Sequence, residues 1–143
     1  MELSYSIADE IFVKFPEYRR GVVVAHGVRN GASPAELVNM LRAEEGTARQ
    51  RLNVDTLTTE PRLASWREAF RSLGYKPGDF RPSIEALLRR VLRGQELPSI
   101  NALVDIGNIV SLRHLLPVGG HAIDQLKEDI DLRPAVGTEE FIA

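Results

Sequence analysis

Cysteine is absent from the 143 residues, which excludes a disulfide framework and any thiolate-bound zinc or iron–sulfur centre. No apolar run approaches the roughly 18 residues that a membrane span requires. Met1 to Asp9 also lacks the basic stretch and apolar core of a secretory signal. A cytoplasmic protein without membrane contact is expected. Three catalytic signatures are missing too: the glycine-rich phosphate loop ending in lysine and a hydroxyl residue, His-Glu-x-x-His, and the G-x-S-x-G nucleophile elbow. The three histidines, His26, His114 and His121, do not stand at metal-ligand spacing, so no metal and no other cofactor is expected. What remains is one ordinary domain's length of chain, 43% hydrophobic and 27% charged, within the range of globular proteins.

The formal net charge of -2 conceals an uneven distribution. Met1 to Glu60 carries 7 Lys/Arg against 9 Asp/Glu, Pro61 to Arg93 carries 8 against 3, and Gly94 to Ala143 carries 3 against 8. A middle segment at +5 between acidic flanks can orient a polyanion on one face, because phosphate binding depends on local charge. The same pattern also describes a solvated, arginine-rich helix face.

Two early stretches read as strands that could pair: Ile7 to Phe15, with Ile11, Phe12, Val13 and Phe15 before Pro16, and the β-branched run Val22 to Ala25 ending at Gly27. Asn30 to Pro34 is a turn that opens a helix, with Ser33 as N-cap, Pro34 at the first helical position and Glu36 completing a capping box. Leu37, Met40 and Leu41 form its apolar face. A second helix begins at Pro61, carries the stripe Leu63, Trp66, Phe70 and Leu73, and stops at Gly74. Ser83 caps a third, with Ile84, Leu87, Leu88 and Val91 inward and Gly94 at its end. Pro98-Ser99 opens a fourth. Beyond Gly119-Gly120 a short helix near Asp124, a strand over Ile130 to Leu132 and a final strand at Phe141-Ile142 are expected.

The fourth helix holds the most informative pattern. Asn101, Asp105 and Asn108 stand at i, i+4 and i+7 among Ile100, Leu103, Val104, Ile106, Ile109 and Val110. A helix apolar on both flanks is expected to be buried on more than one side, so its amides and carboxylate need partners. They form either an internal network that docks the helix or the lining of a polar pocket. Gly107 costs about 1 kcal/mol of helix propensity relative to alanine, which a close approach by backbone or ligand would explain. Pro117 to His121 is a donor-rich turn that could present Gly119 and Gly120 N–H groups, or the imidazole, to the same ridge.

From here the chain resembles the B3/B4 domain, the editing domain of the phenylalanyl-tRNA synthetase β subunit, and especially its free-standing relatives. The resemblance runs through Trp66-Arg67-Glu68-Ala69-Phe70, Pro82-Ser83-Ile84-Glu85-Ala86-Leu87-Leu88-Arg89-Arg90 and Leu97-Pro98-Ser99-Ile100-Asn101. It continues in Leu103-Val104-Asp105-Ile106-Gly107-Asn108-Ile109-Val110, Leu116-Pro117-Val118-Gly119-Gly120 and Asp129-Ile130-Asp131-Leu132-Arg133. The span Trp66 to Arg133 carries it, and the first sixty residues match loosely.

The resemblance implies an α/β (α+β) fold with a mixed sheet flanked by helices, in a single domain over 1–143. Family members continue well past a point like Ala143, so the N-terminal part of such a domain is expected. It also implies hydrolysis, in trans, of the ester of a mischarged tRNA whose acceptor end enters a pocket. Asn108 matches the family's pocket asparagine, Gly107 stands where its threonine would be, and His121-Ala122-Ile123-Asp124 matches its His-Ala-x-Asp pattern. On this reading Asn108 and His121 are catalytic, and Asn101, Asp105, Gly107, Pro117, Gly119 and Gly120 hold the substrate. Arg89, Arg90 and Arg93 contact RNA phosphates. The residues leave open a non-catalytic RNA-binding module, a protein-interaction module whose sheet a second copy or partner chain completes, and a pocket for a free amino acid.

Overall fold

A computed structural model describes residues 3–140. The chain divides into two compact units, one comprising Met1–His26 with His121–Ala143 and the other Gly27–Gly120. The class is α+β: mostly helix, with a small sheet.

The first unit contains β1 (Tyr5–Ile7), α1 (Asp9–Lys14) and β2 (Ile130–Leu132). β1 and β2 pair in parallel, Tyr5 opposite Ile130 and Ile7 opposite Leu132. The ladder is extended by Ile130 N–H to Ser4 O and Ala8 N–H to Leu132 O, both at 3.0 Å. Parallel partners require a crossover of at least a dozen residues, and here the whole second unit lies in that connection. The expected mixed sheet is represented by this one parallel pair among the described residues.

Several expectations for this unit are corrected. The strand expected over Ile7 to Phe15 ends at Ile7, and its remainder is α1. Asp9 and Glu10 in the first turn and Lys14 in the last complement the helix dipole, while Ile11 and Phe15, four apart, are the half-buried pair. Val22 to Ala25 forms no strand. Its valines are exposed, Val23 by 93%. The segment around Asp124 is a turn closed by Gln125 N–H to Ala122 O, not a helix. The Ile130 to Leu132 strand is present as expected, and the strand expected at Phe141-Ile142 lies outside the described residues.

The second unit holds α2 (Ala35–Arg51), a single 3-10 turn (Leu57–Thr59), α3 (Pro61–Ser72), α4 (Ser83–Leu92) and α5 (Ala102–His114). α2 packs on α5 and α4, and α4 on α5. Their shared core is Leu41, Ala48, Leu57, Leu63, Ile84, Leu88, Val91, Leu97, Ile109, Leu112 and Leu115. α3 starts at Pro61, as its missing N–H permits. α3 and α4 end in Schellman turns, with Gly74 at φ +86 and Gly94 at φ +82. Gly74 N–H bonds Arg71 O and Tyr75 N–H bonds Phe70 O; Gly94 and Gln95 repeat the pattern on Val91 and Arg90.

Three helix starts differ from expectation. α2 has Pro34 as its N-cap residue, and the Ser33 hydroxyl makes no cap. α4 has Pro82 in that position, with Ser83 as its first residue. α5 begins at Ala102, not at Pro98-Ser99. α5 is also buried on one side only: Leu103, Val104, Ile106 and Val110 are exposed, as is Ile100 before it.

Candidate functional site

The ridge of α5 separates into three different roles. Asn101 is the N-cap residue, its Oδ1 accepting the Val104 N–H at 3.0 Å, which satisfies one of the donors a helix start leaves free. Asp105 is fully buried. Its Oδ2 accepts from the Ser33 hydroxyl at 2.6 Å and from the Ser99 hydroxyl, and its Oδ1 from Ile100 N–H. Burial pushes the Asp105 carboxyl up, but the two hydroxyls, the Ile100 N–H and the Arg42 charge together hold it below the usual carboxylate value. Asp105 therefore ties the segment before α2 to the segment before α5. Both side chains make contacts that hold the fold together.

Asn108 differs. It is half-buried and has no hydrogen-bond partner among the described residues. The neighbouring Gly107 is not forced by crowding, because a Cβ there would meet Val118 Cγ1 at 3.5 Å, an ordinary contact. Pro117 is half-buried, and Gly119 and Gly120 are exposed in the segment after α5. His121 is exposed and belongs to the other compact unit. A hollow of about 410 Å³ lies elsewhere, where α2 ends and α3 starts, lined by residues that include Arg51, Asn53, Thr56 and Glu60. None of the expected pocket residues lines it.

The basic middle segment also resolves into separate roles. Glu85 has no exposed side-chain surface, and it accepts from Arg67 Nη1 at 2.9 and 3.0 Å and from Arg89 Nε at 2.9 Å. A buried carboxylate needs such partners, and Arg89 is one of the two that Glu85 engages. Arg71 pairs with the exposed Glu68. Arg62 donates to His114 O. Arg90 bonds only Glu96 O, through Nε at 3.0 Å, and Arg93 has no partner among the described residues.

Sequence reasoning missed a third buried carboxylate. Glu45 on α2 accepts from Leu97 N–H at 2.8 Å and from Arg42 Nη1 at 2.6 Å, with Arg49 Nη2 at 3.7 Å. The signal was present in the sequence: Arg42, Glu45 and Arg49 lie at i−3, i and i+4 on one helix stripe.

The helices of the second unit, with Arg90 and Arg93 near the end of α4, and the parallel strand pair of the first unit make this an α+β protein. Residues 65–143, more than half of the chain, match the model of the B3/4 domain, and the chain belongs to that family. The family is that of the phenylalanyl-tRNA synthetase β chain and is associated with binding tRNA. No curated protein and no solved structure matches the chain. Among the described residues no helix is long and apolar enough to cross a membrane.

Proposed function

We propose that this chain binds the acceptor end of tRNA through its phosphates, with Arg90 and Arg93 as contacts. The observation that carries the reading is what remains once internal pairs are removed. Arg67 and Arg89 are used by Glu85 and Arg71 by Glu68, while Lys76, Arg81, Arg90 and Arg93 keep no carboxylate partner among the described residues. Contacts of this kind position RNA without reading its sequence. The test is binding of an acceptor-stem hairpin over a salt series. Affinity independent of salt, and unchanged in the double variant Arg90→Ala with Arg93→Ala, sinks the reading.

A second reading adds turnover: hydrolysis, in trans, of the ester of a mischarged tRNA. It is supported by Asn108, whose amide is uncommitted among the described residues beside a glycine. The Asn108 amide and the Gly119 and Gly120 N–H groups orient the ester and meet the developing oxyanion while a water attacks. Release of amino acid from several mischarged tRNAs is the assay. No release by the unmodified chain, or release unaffected by Asn108→Ala, removes the catalytic reading and leaves the binding one. The same reading implies a cytoplasmic chain, with a second copy or another chain completing the sheet. A mass in solution that stays monomeric at rising concentration and with candidate partners counts against that pairing.

A further inference from the structure

We infer that Arg49 of α2 joins Arg90 and Arg93 in a preorganised clamp for RNA backbone phosphates, built around the turn that follows α4. The inference rests on the tRNA-binding reading above and adds to it a residue from another helix, 41 positions before Arg90 in sequence.

Each end of the clamp is anchored to the turn by backbone carbonyls. Arg49 donates through Nε to Val91 O at 3.0 Å and through Nη2 to Gln95 O at 3.3 Å. Arg90 donates through Nε to Glu96 O at 3.0 Å. Gln95 and Glu96 are consecutive, so the two guanidinium groups stand within roughly 10 Å of each other, from a 3.8 Å Cα spacing and two hydrogen bonds of about 3 Å. The anchoring bonds leave Arg49 Nη1 and both Nη groups of Arg90 without partners among the described residues. Arginine forks of this kind match phosphate oxygens two at a time.

The turn itself is held by the buried Glu45, which accepts the Leu97 N–H at 2.8 Å, and by Arg42, which donates to Leu97 O. The rotamer freedom of Arg49 and Arg90 is therefore lost on folding and not on binding, which favours association. The segments that meet at the turn carry Arg42, Arg49, Arg90 and Arg93 against Glu45 and Glu96, a local charge of +2. Glu45 is covered, while Glu96 is 70% exposed, 3.5 Å from Arg42, and opposes a phosphate. Arg89, next in sequence to Arg90, is turned the other way into Glu85 and has no part in the clamp.

The test is anisotropy of a labelled acceptor-stem hairpin with the full chain over a salt series. Arg49→Gln and Arg93→Gln are each expected to lower the slope of log affinity against log salt by about 0.7 to 0.9, the loss of one phosphate contact. Glu96→Gln is expected to tighten binding, and Arg71→Gln, outside the clamp, to leave the slope unchanged. Thermal melts establish that each variant is folded. Arg49→Lys, which keeps a cation near Glu45 and loses the fork, carries the test where Arg49→Gln loses the fold, with weaker binding expected. RNA binding that no folded Arg49 variant weakens overturns the clamp and spares the tRNA reading. No RNA binding by the unmodified chain overturns the tRNA reading and the clamp with it.

Discussion

Replacing Glu85 by glutamine keeps the size of the side chain and removes its charge from beneath Arg67 and Arg89. The Glu85 side chain has no exposed surface, whereas the two arginine side chains retain 15% and 20%. Breaking a buried ion pair by removing one partner costs roughly 3–5 kcal/mol, because the remaining charge is left uncompensated. The partial exposure of both arginines lets water recover some of that, so a loss of about 3 kcal/mol is expected. In urea, with m of about 1–3 kcal/mol per molar, the midpoint falls by about 1–3 M at unchanged m. The control is Glu68→Gln, which breaks the exposed pair with Arg71 and is expected to cost no more than about 0.5 kcal/mol. A triple variant, Glu85→Leu with Arg67→Met and Arg89→Met, removes all three charges and is expected to recover most of the loss, since the penalty belongs to the orphaned cations. Equal and small shifts for Glu85→Gln and Glu68→Gln would refute the argument that a buried carboxylate docks α3 and α4.

Gly107→Ala is expected to raise stability by about 0.5–1 kcal/mol, since the new methyl meets Val118 at ordinary contact distance and the helix gains propensity. A destabilised variant in thermal melts would mean that the helix needs a bare backbone there. Glu139 is predicted to stay ionised far into acid. Its carboxyl is drawn down to about 2 by the Val136 N–H, with Arg133 and the Gly137 N–H adding to it. Its folded value lies below the ordinary 4.5, so its contribution is full above that value and is lost as pH falls through about 2. A carboxyl resonance titrating near 4.5 by NMR would contradict the loop geometry.

The helices of the second unit were legible because each carries its own punctuation. Pro61, Gly74 and Gly94 act within one or two residues, and Ile84, Leu87, Leu88 and Val91 mark a face by spacing alone. The misread helix starts at Ser33 and Ser99 share one cause. Hydroxyls that suit a helix cap were instead claimed by Asp105, which is 72 residues away from Ser33. α1 was misread because a six-residue segment holds too few residues for helical and strand periods to be told apart, and its acidic first turn was the better guide.

The family, the helical character of the central unit and the concentration of positive charge in its middle follow from the sequence, because they depend on composition and on local spacing. Only the tertiary structure decided which charges are free. Arg89 and Arg90 are adjacent and chemically identical, yet one is bound to a buried glutamate and the other reaches solvent. The difference arises from a carboxylate whose desolvation had to be offset by whichever cations the helix packing brought within hydrogen-bond reach.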